Sequence, residues 1–132
     1  MKNGRKIAVS FVAVMALLAS ICFAAGTVNV SSTQAKAMTA QKAGLVLLDV
    51  RTPEEYQQAH LKGAKLIPLN ELPQRVNEIP RDKPILVYCA VGRRSLKAAD
   101  FLSAQGYHEV YQISDGLISW YKNGFPLERP AH

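Results

Sequence analysis

The chain has 132 residues, 48% of them hydrophobic, which is the size and composition of one domain with a real core and excludes both a disordered chain and a polytopic membrane protein. The formal charge of +6 is concentrated at one end: without Lys2, Arg5 and Lys6 the 16 basic residues fall to 13, against 10 acidic ones, a net of about +3. That balance is too mild to imply nucleic acid or a membrane surface as partner.

The first stretch reads as an export signal. A basic beginning precedes the uncharged run IAVSFVAVMALLASICFAA, Ile7 to Ala25, and small residues follow, in the order of a secretory leader. An uncleaved membrane anchor is the rival reading, and the Ala and Ser content argues against it. Cleavage is expected near residues 24–26. The A-x-A at Ala35-Lys36-Ala37 lies too far beyond the apolar run and inside the first predicted helix. Residues 1–26 are thus assigned to a leader and 27–132 to a single domain, periplasmic or secreted, with membrane attachment only if the leader is kept. Ile21 before Cys22 argues against a lipoprotein site. The trimmed chain keeps one cysteine, Cys89. Exported proteins use cysteines in pairs, so a lone one points to a reactive thiol or an intermolecular bridge; the bland alternative is an inert buried residue.

Strand and helix signals then alternate. TVNVS is a short strand. Ser31 opens a capping-box pattern with Gln34, predicting a helix from about Ser32 to Lys42 that Gly44 ends. LVLLDV, residues 45–50, is the continuous apolar run of a buried parallel strand. Thr52 caps a short helix with Pro53 at its first position and Glu54 and Glu55 in its first turn. AKLIPL gives a third strand, and Asn70 is placed as the cap of a helix to about Asn77. PILVYC, residues 84–89, is the central strand, residues 93–105 a helix with Leu96, Ala99, Phe101 and Leu102 on its apolar face, EVYQIS the last strand and 116–122 the last helix. Five strands separated by helical crossovers imply an α/β fold, a central parallel sheet with helices on both faces. Sites in such folds lie at the carboxyl ends of strands, and Cys89 ends the central one.

The segment CAVGRRS carries the chemistry. A thiol attacks only as its thiolate. Cys89 faces the N-terminus of a helix, Gly92 lets the backbone turn with N–H groups free as an anion nest, and Arg93 and Arg94 add positive charge. Such surroundings lower a cysteine pKa from about 8.5 to between roughly 3.5 and 7.5. Gly92 as a mere turn is the plain alternative, but two arginines opening a helix oppose its dipole, a mismatch that an anionic ligand would repair. His60 and His108 are isolated and read as surface or satisfied histidines, and no metal-ligand spacing surrounds Cys89. The site therefore suits attack by sulfur on an anion without a general base, either phosphoryl transfer or sulfur transfer. Cysteine phosphatases place their arginine at the seventh position of a C-x5-R loop. Here Ser95 stands seventh and Arg94 sixth, a smaller ring that suits a single added sulfur.

The chain from about Val28 to Pro126 resembles a single-domain rhodanese, or thiosulfate sulfurtransferase. LLDVRTPEEY, AHLKGAKLIPL, VYCAVGRRS and DGLISWYKNGFP each resemble a segment of that family, and the exported one-domain form resembles the small periplasmic rhodaneses of bacteria. Ala59, Lys62 and Asp115 depart from the pattern, in loops rather than at the cysteine. The resemblance implies a rhodanese-like fold and a two-step cycle. Cys89 takes the outer sulfur of thiosulfate as a persulfide and passes it to a thiophilic acceptor such as cyanide or a thiol, small or protein-borne, with no metal or cofactor. It implies that the backbone of Ala90, Val91, Gly92 and Ser95 stabilises the persulfide, that Arg94, with Arg93 beside it, binds anion oxygens, and that Ser95 donates to sulfur. Asp49 and Arg51 are expected as structural support, with Arg51 paired to a carboxylate and holding the loop bed in shape, and a substrate clamp as the lesser reading; Trp120 could line the pocket but is expected as core, as are Tyr88 and Tyr121. The protein is expected as a monomer. A persulfide carrier without small-molecule turnover is the alternative, and an arsenate reductase or phosphatase a more distant one.

Overall fold

The computed structural model describes residues 26–131. The leader assigned to residues 1–26 therefore lies outside the described residues, apart from Gly26. No helix among the described residues is long and apolar enough to cross a membrane.

Five parallel strands form one sheet in the order β1-β5-β4-β2-β3, with β1 at Thr27–Val30, β2 at Val46–Asp49, β3 at Lys65–Leu66, β4 at Ile85–Tyr88 and β5 at Val110–Ile113. The crossovers carry α1 (Ser32–Gln41), α2 (Pro53–Gln58), α3 (Leu72–Arg75) and α4 (Arg93–Ala104), and α5 (Gly116–Lys122) follows β5. The architecture is the α/β arrangement read from the sequence.

Alternation along the strands divides the core in two. Leu48, Val50, Ile85, Val87 and Cys89 face one side and pack with Ala98, Ala99 and Leu102 of α4 and with Leu72 and Ile79. Leu86, Tyr88 and Ile113 face the other, with Ala35 of α1 and Leu117 and Trp120 of α5. Trp120 and Tyr88 are core residues, at 3% and 0% exposure.

The helix starts follow the sequence. Ser31 and Gln34 form a complete capping box on α1, and Thr52 and Glu55 form another on α2, with Pro53 in its first turn. Three expectations need correction. The helix placed at Asn70–Asn77 is instead a 3-10 turn, a four-residue α3 and a second 3-10 turn, because Pro73 interrupts the run and Asn70 caps nothing. Leu96 is 40% exposed, and Ser95, Ala98 and Ser103 join Ala99 and Leu102 on the buried face of α4. AKLIPL pairs only at Lys65–Leu66.

The register brings the working residues to one edge. Asp49 lies beside Tyr88, and Val50 N–H donates to the Tyr88 carbonyl at 3.2 Å, so Cys89 and Arg51 leave adjacent strands together. Val30 lies beside Ile113, which brings the β5–α5 turn alongside.

Candidate active site

The loop from Cys89 to Gly92 takes its shape from its neighbours. Gly92 has φ of 93° and precedes α4, a conformation open to glycine at little cost. A Cβ at Gly92 would lie 2.2 Å from the Ser114 carbonyl oxygen, and one at Gly116 would lie 2.2 Å from that of Ala90. The loop and the β5–α5 turn thus meet backbone to backbone. At the start of α5, Leu117 N–H donates to the Cys89 carbonyl at 2.9 Å and Ile118 N–H to the Ala90 carbonyl at 3.2 Å. With its carbonyls drawn outward, the loop turns its N–H groups toward the sulfur.

Cys89 Sγ accepts from Gly92 N–H at 3.1 Å and from Ser95 N–H at 3.3 Å, while its own S–H donates to Ser95 Oγ at 3.3 Å. Burial by itself would push the thiol up. The hydrogen bonds of the Ser95 hydroxyl and of the Ser95, Val91 and Gly92 backbone outweigh it and hold the group below its ordinary value. The thiolate is favoured by oriented dipoles rather than by solvent.

Ser95 is part of a longer chain of bonds. Its hydroxyl donates to Gln112 Oε1 at 2.8 Å, and Gln112 Nε2 donates to Asn29 Oδ1 at 2.8 Å. Gln112 is 2% exposed. It is a polar residue on the α4 side of an otherwise apolar strand, which is the one signal in the sequence that could have marked it.

The arginines divide their work differently from the sequence reading. Arg94 forms a two-pronged pair with Glu55 of α2, with Nη1 and Nη2 each 2.8 Å from a carboxylate oxygen. These bonds hold the Glu55 carboxyl down at about 2. The adverse placement of Arg94 against the helix dipole is thus answered from within the chain. Arg93 is exposed. Beneath the loop, Asp49 and Arg51 form a buried pair: Arg51 Nε and Nη2 donate to the carboxylate at 3.0 and 2.7 Å, and Arg51 N–H donates at 2.9 Å. Arg51 Nη2 also donates to the Ala59 carbonyl at 2.7 Å, tying β2 to the loop after α2.

A cavity of about 310 Å3 opens against the loop at Ala90 and Val91. Arg51 and Glu55 form one wall, and Leu117, Ile118, Tyr121 and Leu127 another, with Arg129 among the lining residues. Neither Arg93 nor Arg94 lines it; Arg94 borders an adjoining cleft with Leu69 and Asn70. Tyr121, expected in the core, is 62% exposed at the cavity. His60 stacks on Tyr56 with ring centroids 3.8 Å apart, and His108 is exposed. Among the described residues, no cluster of His, Cys, Asp and Glu could hold a metal ion.

Residues 31–123, from the α1 cap through α5, match the model of the Rhodanese-like domain. The chain belongs to the rhodanese-like family. A sulfurtransferase of Allochromatium vinosum is 37% identical over 86 residues, which cover 65% of this chain and 80% of that one. The thiosulfate sulfurtransferase GlpE of Vibrio cholerae is 34% identical over 100 residues, 76% of this chain and 93% of that one. The crystal structure of a rhodanese-related protein from Thermoplasma volcanium superimposes with a TM-score of 0.71 at 29% identity, covering 78% of this chain and 99% of that one. Sulfurtransferase chemistry is therefore supported for this rhodanese-like chain at the level of its family.

Proposed function

We propose that this rhodanese-like protein is a thiosulfate sulfurtransferase working through a persulfide on Cys89, exported to the periplasm or cell exterior and active as a monomer. The observation that carries the reading is the cradle itself. A sulfur that accepts from two backbone N–H groups, at 3.1 and 3.3 Å, is stabilised as an anion before and after it gains a second sulfur.

In the first half-reaction the Sγ thiolate attacks the outer sulfur of thiosulfate. The new bond joins Sγ to that sulfur, the S–S bond of thiosulfate breaks, and sulfite leaves with the electron pair. In the second, a nucleophile such as cyanide attacks the outer sulfur of the persulfide and Sγ departs as thiolate. Neither step needs a proton removed, consistent with the absence of a histidine or carboxylate among the partners of Sγ. Cys89 has no exposed surface, so loading requires Sγ to turn, or the Ala90–Val91 segment to shift, toward the cavity. With Arg94 engaged by Glu55, its role toward the anion is one of background charge unless that pair opens.

The test is thiosulfate:cyanide sulfurtransferase activity, with Cys89→Ser beside the wild type and intact mass recorded after thiosulfate alone. Thiocyanate formation and a gain of one sulfur, both lost in Cys89→Ser, are expected. A sulfur gained without turnover would favour the carrier reading, and no gain would defeat both. Intact mass of protein recovered from an exporting host tests the leader, since retention of residues 1–24 would overturn cleavage.

A further inference from the structure

The cavity beside the loop is larger than a small inorganic anion needs. Its volume of about 310 Å3 reaches the range of cavities that hold organic ligands, about 300–1,000 Å3, whereas thiosulfate and cyanide have only a few atoms each. Its wall is largely aliphatic and aromatic. Val91, Ile118 and Tyr121, at 56%, 47% and 62% exposure, are three of the five large hydrophobic residues exposed among those described, and all three line it. Exposed apolar side chains scattered singly need no explanation, but a group gathered around one cavity does.

The charges of the wall point the same way. Arg51 is neutralised by Asp49 and Glu55 by Arg94. Arg129 has no hydrogen-bond or ion-pair partner among the described residues, which leaves the cavity one uncompensated positive charge. The chain leading to Arg129 is held in place. The backbones of His60 and Glu128 exchange hydrogen bonds at 3.0 and 2.8 Å, Phe125 N–H donates to the Trp120 carbonyl at 3.2 Å, and Trp120 Nε1 donates to the Pro126 carbonyl at 3.0 Å. The segment before Arg129 is thereby pinned along the cavity, beyond residue 123 where the family match ends.

We propose that this cavity receives the sulfur acceptor, an organic thiol with an apolar body and a terminal carboxylate, and that Arg129 pairs with the carboxylate while Val91, Ile118 and Tyr121 cover the body. The inference rests on the sulfurtransferase reading. The acceptor thiolate attacks the outer sulfur of the Cys89 persulfide, a bond forms between the two sulfurs, the Sγ–S bond breaks, and its electron pair stays on Sγ. The acceptor leaves as a persulfide and no oxidant or reductant is consumed.

The experiment follows discharge of thiosulfate-loaded protein by intact mass, using 6-mercaptohexanoate, 6-mercaptohexanol and cyanide. The carboxylate lies too far from the thiol to change its nucleophilicity much, so the ratio of the first two rates reports recognition. The wild type is expected to favour the carboxylate about 10-fold, equivalent to about 1.4 kcal/mol. In Arg129→Gln the ratio is expected to fall to near one, and in Arg129→Glu the preference is expected to move to 6-mercaptohexylamine. Equal rates for acid and alcohol in the wild type, or a ratio unchanged in Arg129→Gln, would overturn the inference while cyanide discharge left the sulfurtransferase reading standing. Absence of discharge to cyanide would overturn that reading, and this inference with it.

Discussion

Removing the Ser95 hydroxyl tests how the cradle tunes its sulfur. In the thiol form the single Ser95 proton goes to Gln112 Oε1 at 2.8 Å, and Ser95 Oγ accepts from the Cys89 S–H. When Cys89 ionises, Ser95 can donate to Sγ only by abandoning Gln112. A hydrogen bond to a charged group contributes about 1.5–3 kcal/mol, and a buried acceptor left without a donor costs about 1–3 kcal/mol. The two nearly cancel, and because one pKa unit is about 1.4 kcal/mol, Ser95→Ala should raise the Cys89 pKa by less than about one unit. The backbone donors, which remain in the variant, hold most of the depression. Gln112→Leu removes the competing acceptor and frees the Ser95 proton, so it should lower the Cys89 pKa further. The assay is pH titration of the ultraviolet thiolate absorbance, with the rate of alkylation as a second readout. A rise of about two units or more in Ser95→Ala, the full value of a charged hydrogen bond, would refute the reasoning. It would show that the Gln112 and Asn29 amides turn over on ionisation and release the hydroxyl at no cost.

Three further outcomes follow from the same geometry. Gly92→Ala forces a Cβ to 2.2 Å from the Ser114 oxygen at a positive φ, whereas Gly63, at φ 79°, has open space around it; urea unfolding should show a loss above about 3 kcal/mol for the first and about 1–2 kcal/mol for Gly63→Ala, and equal losses would contradict the close approach. Asp49→Asn leaves the buried Arg51 guanidinium without its counter-charge and should cost about 3–5 kcal/mol, read as a lower denaturation midpoint; a wild-type midpoint would mean that the pair does not hold the loop bed. Glu55→Gln removes a pair whose side chains are about a third exposed, so the loss at neutral pH should be only about 0.5–1 kcal/mol. The Glu55 pKa is depressed from 4.5 to about 2, so the pair's contribution is complete above the unfolded value and fades as pH falls through the folded one. The stability difference between wild type and variant should therefore persist at pH 7 and shrink between about pH 4.5 and 2, and a difference constant down to the lower limit would assign it to another cause.

Much of this molecule can be read from its sequence because local rules govern those parts. The runs LVLLDV and PILVYC have no polar face, which suits strands covered on both sides, and the boxes at Ser31 and Thr52 state where helices begin. The region after Pro68 resisted because its turns are short and set by packing against Tyr107, whose hydroxyl lies 2.8 Å from both the Val76 and Ile79 carbonyls and shares its one proton between them. The cysteine loop was legible as a thiolate cradle, since glycine, N–H groups and sulfur lie within a few residues. The partner of Arg94 was not, because Glu55 lies 39 residues away and its place in a capping box already accounted for it. Arg129 and Tyr121 were missed for a related reason: a charge in a tail and an aromatic on a short helix acquire meaning only once the β5–α5 turn and the His60–Glu128 pairing bring them to the same cavity.

The chain of bonds from Sγ through Ser95 and Gln112 ends on Asn29, in an edge strand of only four residues. The chemistry of the sulfur is thus anchored at β1, on the edge of the sheet. Removal of the proposed leader near residues 24–26 would spare that anchor. A cut at the alternative Ala35-Lys36-Ala37 would take β1 and α1 up to Ala37 with it, uncover the edge of β5 and leave the Gln112 amide without its Asn29 partner. If the proposed leader is removed, the position of the cut would therefore matter to the site as well as to export. A protease acting a dozen residues late would deliver a domain that still carries Cys89 and its loop but has lost the outermost support of the thiolate.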